Sequence, residues 1–229
     1  MATMNKDWNA HVVHAEEIAR SAGFTALRDR IIDLAQPRTD DVVVDVGSGT
    51  GLLSLALATR VQSIWAVDIA PAMGEYLRAK AMSAGLENVE NVTASAVSLP
   101  LVDGVADLVV SNYCFHHLDA DGKAKALSEA YRVLKPGGRL VFGDMMFAVA
   151  LGEARDREVV RAKVRAMLRK GLPGVVRLAR NGARIATGRW ERPVRGDWWA
   201  AALRAADFVE VEVEVLAHEG GIASARRGG

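Results

Sequence analysis

Val42-Val43-Val44-Asp45-Val46-Gly47-Ser48-Gly49-Thr50-Gly51 is the stretch from which the fold of this 229-residue chain can be read. Valines on both sides of a single acid predict a parallel strand covered on both faces, because such strands read as near-continuous apolar runs. Glycines at alternate positions 47, 49 and 51 let the chain turn sharply and bring its backbone against a ligand, where a Cβ would intrude. Leu52 to Arg60 then predicts a helix whose first N–H groups, lacking intrahelical partners, point at whatever rests on the turn. Strand, glycine turn and helix together predict an α/β protein with a nucleotide-type cofactor site.

The dinucleotide fingerprint places glycines first, third and sixth. Here the sixth position is Leu52, and the third glycine, Gly51, comes one place early. Ser63 to Asp68 predicts the second strand, and Asp68 lies 21 residues after Gly47. A carboxylate at that edge is placed to bind ribose hydroxyls, although in isolation it reads as a solvated loop acid. Pro71 opens a helix to about Ala84, which Gly85 stops. Val89 to Ala94 predicts the third strand, and Ser95-Ala96-Val97-Ser98-Leu99-Pro100 follows it. Asp103 to Ser111 predicts the fourth. Asn112-Tyr113-Cys114-Phe115-His116-His117-Leu118 comes next, at the strand ends where open α/β sheets hold their ligands. Asp119 or Asp121 caps a helix to about Leu134; Lys135 to Gly138 is a turn, and Arg139 to Asp144 the fifth strand.

Gly-x-Gly-x-Gly after an Asp-bearing strand, then Ala106-Asp107-Leu108-Val109, then Arg132-Val133-Leu134-Lys135-Pro136-Gly137-Gly138, occur in that order between about Asp41 and Asp144. In this the chain resembles the class I S-adenosylmethionine-dependent methyltransferases. The resemblance implies a Rossmann-like, seven-stranded, mostly parallel sheet of order 3-2-1-4-5-7-6, with helices on both faces and a helical cap. It implies S-adenosylmethionine as cofactor and S-adenosylhomocysteine as its product. Asp45, Gly47, Ser48, Gly49 and Gly51 would hold the methionine end, Asp68 the ribose, and Ile69 the adenine face. Ser95, Ala96 and Val97 would read the adenine edge, and Asn112 completes the cofactor-binding set. Three positions depart from the family pattern. Ser48 stands where cysteine is frequent, and Ala106 replaces a phenylalanine. Ser95 replaces an aspartate, so adenine binding should be looser, because a neutral acceptor makes a weaker hydrogen bond than a charged one.

A sulfonium methyl is already electrophilic, so alignment of the nucleophile is the main task, and a base is needed when the nucleophile carries a proton. His116 and His117 are the candidate bases, since histidine titrates near neutrality. Each taken alone reads first as a packing or capping histidine, His117 being the one that aligns with the family's frequent histidine. Asp144 is a second base candidate or a loop cap, and Cys114 reads as a small packed group. No metal site is expected, because His116, His117 and Asp119 need not converge at a helix start.

Half the residues are hydrophobic, a quarter are charged, and the net charge is +1, which gives no reason to expect nucleic acid or integral membrane association. The Asp/Asn-Pro-Pro-Tyr loop of nucleic-acid amino methyltransferases is absent. One cysteine excludes an internal disulfide framework. Met1 to Trp8 lacks a signal-peptide core, and Val46 to Thr59 is too short to span a bilayer. A cytoplasmic protein, monomer or homodimer, is expected, with 1–229 as a single domain. Residues 1–37 hold two helices, Asp7 to Ala22 and Phe24 to Ala35, where the family places a lid. Trp8, His11 and His14 then either face the substrate or are a packed tryptophan and two solvated histidines.

Glu153 to Lys170 predicts an amphipathic helix. The segment 151–195 carries thirteen basic and four acidic residues, net +9, against −8 for the remainder. It reads as a basic cap suited to an anionic or amphiphilic substrate, to a membrane surface, or to nothing beyond solvation. Trp198, Trp199, Leu203 and Phe208 mark a last helix. Val209 to Ala217 alternates as a strand with one face covered, Gly220-Gly221 is a turn, and Ile222 to Ala225 pairs back. The whole reads as a methyltransferase acting on oxygen, nitrogen or carbon of a small acceptor. The alternative is a cofactor-binding scaffold or cyclase on the same fold. A nicotinamide oxidoreductase fails on Leu52 and on the final strand pair.

Overall fold

A computed structural model of the chain describes residues 8–148, 153–186 and 192–229. Its strands are β1 (Val42–Val46), β2 (Ser63–Asp68), β3 (Val89–Thr93), β4 (Ala106–Asn112), β5 (Leu134–Met145), β6 (Phe208–Val215) and β7 (Gly220–Arg227). They form one sheet of order β3-β2-β1-β4-β5-β7-β6. The strands β1 to β5 run parallel, and β7 is antiparallel to both its neighbours. This is the expected Rossmann-like arrangement.

The valine run explains why β1 is central. Val44 and Val46 enter the core on one face with Leu127 and Trp199, while Val43 enters the other with Leu27, Ile31 and Leu57. Helices α1 (Val12–Ala19), α2 (Ala22–Ala35) and α3 (Ser54–Leu57) precede and follow β1, and α4 (Pro71–Ser83) packs on β2 and β3. Helix α5 (Ala120–Val133) leads into β5. The hairpin of α6 (Ala154–Leu168) and α7 (Leu172–Ala186) follows that strand, and α8 (Gly196–Ala205) leads to β6.

Four details differ from the sequence reading. The helix after the glycine turn is the short Ser54–Leu57 rather than Leu52 to Arg60. The left-handed Gly51 delays its start, and Arg60 N–H closes on the Leu57 carbonyl at 2.8 Å. Lys135 to Gly138 is not a separate turn but the start of β5, where the pairing shifts register between Ala106 and Leu108. Gly220-Gly221 likewise belongs to β7. In β6 the alternation is broken by a register shift between Val209 and Glu212, with Glu210 at φ 50°, so Val209 and Val215 stay exposed on the edge. Part of the apolar stretch after Asp144, residues 149–152, lies outside the described residues.

Candidate active site

The glycine turn is drawn onto the second strand by backbone hydrogen bonds. Gly47 and Ser48 N–H both donate to the Val67 carbonyl, at 2.8 and 3.0 Å. Gly49 N–H then donates to Asp68 Oδ2, and Ala70 N–H to Oδ1, each at 2.9 Å. Turn and carboxylate thus meet at one edge of the sheet. Burial pushes the Asp68 carboxyl above its usual range, against the opposing effect of those backbone donors.

The three glycines do different things. A Cβ on Gly47 would lie 2.4 Å from Cys114 Sγ, and one on Gly51 would lie 2.2 Å from Leu77 Cδ1. A Cβ on Gly49 would meet nothing within 4 Å. Gly47 and Gly51 are closed by packing, and Gly49 faces open space. Asp45 is turned beneath the turn instead. Its Oδ2 accepts from Ser54 Oγ at 2.6 Å and from Ser54 N–H at 3.1 Å, so it starts α3 from the strand below. Burial raises its carboxyl to about 7. Of the residues expected at the methionine end, Asp45 is the one whose hydrogen bonds run away from the open side.

Two neighbours of the turn carry buried polar atoms with no protein partner: Ser48 Oγ, and both amide atoms of Asn112 at the end of β4. Buried polar groups are seldom left so without a ligand or water to bond. An amide oxygen suits an ammonium, while an amide N–H and a hydroxyl suit a carboxylate. With Asp68 one strand over, these groups fit an amino acid joined to a ribose. At the third strand, Ala94 N–H donates to the Asp68 carbonyl at 3.0 Å, holding Ser95, Ala96 and Val97 beside it. Ser95 Oγ accepts from Val97 N–H at 3.4 Å, and Ile69 lies exposed on the same rim.

The histidine turn follows β4, across from the end of β5. His116 Nδ1 lies 2.6 Å from Asp144 Oδ1, and His116 N–H donates to Asp144 Oδ2 at 2.9 Å. Both residues are buried. With Nδ1–H held by the carboxylate, Nε2 is the atom left to take a proton. The His117 ring packs on His116 at 3.9 Å and on Trp8 at 4.7 Å. Tyr113, held in the left-handed region at φ 53°, stacks on Phe24 at 4.3 Å. A side chain held in that region marks local strain.

Helix α1 and the residues before it are fastened beside the turn, while α2 packs on β5 and β4. Lys80 Nζ bridges the Glu16 carboxylate and the Thr50 carbonyl, each at 2.9 Å, and Asn9 Oδ1 accepts from Ala72 N–H at 3.0 Å. Trp8 is thereby brought to the histidine pair, whereas His14 is exposed beside Glu17. Asp119, rather than Asp121, caps α5 through Gly122 N–H at 2.8 Å.

Sequence reasoning did not find Lys123. It is buried on the same stripe of α5 as Ala126, Leu127 and Ala130, and it donates to the carbonyls of Leu118 and Arg192. Arg192 N–H in turn donates to the His116 carbonyl at 2.7 Å. Burial lowers the Lys123 ammonium to about 8. A lysine on an apolar helical stripe was the readable signal. Among the described residues, no three of His, Cys, Asp and Glu are placed to hold a metal ion.

Residues 43–138 match the model of a methyltransferase domain. Over that stretch the chain is similar to S-adenosylmethionine-dependent methyltransferases. It is 43% identical over 116 residues to demethylmenaquinone methyltransferase of Thermus thermophilus, covering 50% of this chain and 51% of the relative. It is 33% identical over 128 residues to aklanonic acid methyltransferase of Streptomyces, covering 54% and 57%. The chain thus spans about half the length of such curated relatives. In fold, the chain is similar to a SAM-dependent methyltransferase from Aquifex aeolicus, with TM-score 0.67, 20% identity, and coverage of 96% and 98%. It is also similar to the [4+2]-cyclase SpnF, with TM-score 0.66, 18% identity, and coverage of 92% and 84%. The matching domain implies S-adenosylmethionine, and the residues at the glycine turn fit that molecule. No helix among the described residues is long and apolar enough to cross a membrane.

Proposed function

We propose that the protein transfers a methyl group from S-adenosylmethionine to a small, weakly acidic acceptor, with His116 as general base and Asp144 as its positioning residue. The observation that carries this reading is the buried His116–Asp144 pair at the strand ends that also hold the glycine turn. Bound S-adenosylmethionine supplies a methyl on a positively charged sulfur. The chain's own residues do the rest. Gly49 and Asp68 fix the turn against the ribose, while Ser48 and Asn112 receive the amino-acid end. Asp144 holds Nδ1–H and stabilises the imidazolium once Nε2 has taken the acceptor's proton. Trp8 and His117 shield that ring from water, which strengthens the charge interaction. Demethylmenaquinone and aklanonic acid, named for the two relatives above, set the scale of acceptor to try first.

His116→Ala should leave cofactor affinity unchanged and lower kcat by roughly 10²–10⁴-fold. Asp144→Asn should lower kcat while leaving cofactor affinity unchanged. Turnover of phenols and quinols by His116→Ala equal to that of the parent refutes the base assignment. One feature favours the second reading, a cofactor-binding protein without methyl transfer: His116 is only 4% exposed, as a purely structural pair would be. Tight binding of cofactor and product with no methylated product from any acceptor in the panel would decide for that reading.

A further inference from the structure

The α6–α7 hairpin has an outer surface that the fold does not bury. Helix α7 turns the side bearing Gly174 toward the end of α6, where a Cβ would fall 1.7 Å from the Met167 carbonyl oxygen. Leu172, Val175, Val176 and Ala179 recur at helical spacing and share the other side. Leu172 is 77% exposed, Val176 51% and Val175 47%, and Leu168 at the hairpin tip is 50% exposed. A surface helix normally turns its apolar stripe to the core; this one turns its stripe to solvent.

Charge says what covers it. Among the described residues, Arg161, Arg165, Arg169, Lys170, Arg177 and Arg180 are exposed and none makes an ion pair. Of the hairpin's three acids, Glu153 and Asp156 are already held by Arg195 and Arg155, and Glu158, exposed on α6, stands against the six exposed cations. An apolar strip beside unpaired cations suits a layer that offers acyl chains behind phosphates. Nucleic acid would leave the strip in water. A helix of 15 residues is too short to span a bilayer and lies in its surface.

We infer that the α6–α7 hairpin docks the protein on an anionic lipid surface. Leu168, Leu172, Val175 and Val176 enter the acyl boundary, and the flanking arginines meet the headgroups. The chain returning from the hairpin joins the histidine turn through Arg192 N–H on the His116 carbonyl. Docking there would favour an acceptor that is itself held in the membrane; this last consequence rests on the proposed methyl transfer.

The test is co-sedimentation of the full chain with vesicles of phosphatidylcholine, alone or with about one third phosphatidylglycerol. The protein should bind the anionic vesicles, bind neutral ones at least about tenfold more weakly, and be released by about 0.5 M salt. Val175→Asp with Val176→Asp, and separately Arg177→Glu with Arg180→Glu, should each weaken binding by about tenfold or more while keeping far-UV dichroism and S-adenosylhomocysteine affinity. Both pairs are exposed, so if one fails to fold the other still reads the surface. Absence of binding to anionic vesicles, or unchanged binding by a folded variant, overturns the proposal. So does concentration-dependent dimerisation that the valine variant abolishes without any vesicle binding, which assigns the strip to a second copy. Sedimentation reads no turnover, so its failure is separate from a failure of methyl transfer.

Discussion

Replacing Gly47, Gly49 and Gly51 by alanine, one at a time, separates what the turn does for the fold from what it does for a ligand. All three sit at positive φ, at 72°, 51° and 90°. Alanine there costs roughly 1–2 kcal/mol from backbone strain alone. At Gly47 the new methyl meets Cys114 Sγ at 2.4 Å and Cβ at 2.6 Å, and at Gly51 it meets Leu77 Cδ1 at 2.2 Å. Overpacking of that kind adds roughly 1–3 kcal/mol. Gly47→Ala and Gly51→Ala should therefore lose about 2–5 kcal/mol of stability, a large part of what a domain of this size has. Gly49→Ala has only the strain to bear, since its methyl enters open space. That space is the one the cofactor needs, so its S-adenosylhomocysteine affinity should fall by more than about tenfold, or 1.4 kcal/mol. Urea denaturation reads the first quantity and titration calorimetry the second. Undiminished affinity in Gly49→Ala would refute the placement of the cofactor on this turn. A Gly49→Ala protein as unstable as the other two would refute the division of labour among the glycines.

Asp68→Ala removes the acceptor of two backbone N–H groups together with the proposed ribose ligand. Calorimetry should show affinity reduced by more than about tenfold, and Asp68→Asn should fall between that variant and the parent. Asp45 gives a pH test. Its carboxyl is raised from 3.8 to about 7 by burial, so the native protein keeps a proton that the unfolded chain releases. The stability it contributes is complete below the unfolded value and is lost as pH rises through about 7. Urea midpoints of Asp45→Asn should accordingly change less than the parent's between about pH 5 and 8, and parallel curves would remove Asp45 as the cause. Lys123→Met leaves the Leu118 and Arg192 carbonyls without their donor and should cost about 1–3 kcal/mol. Denaturation showing no loss would mean that water replaces the ammonium.

Local chemistry along the chain was enough for most of the strands, and the resemblance supplied their order. An apolar run with glycines behind it reads as a covered parallel strand ending in a tight turn, and Asp68 closes the neighbouring strand at a readable distance. The motif order between Asp41 and Asp144 carried the sheet topology. Helix α2 was legible too, because Leu27 and Ile31 repeat at helical spacing. The directions in which side chains point were less legible. Asp45 reads as a ligand residue, and only the structure shows that its Oδ2 takes the Ser54 N–H and hydroxyl at the start of α3.

What the tertiary structure alone decided is which distant groups meet. Asn112 pairs opposite Gly143 in the sheet, so the chain leaving β4 folds back across Asp144 and delivers His116 to it, 28 residues away along the chain. Lys123 reaches the Arg192 carbonyl across 69 residues for a similar reason. Periodicity records which face of an element is apolar, and motif spacing records where a turn lies. Neither records strand register or the docking of a returning segment, and on those two the histidine pair and its clasp depend.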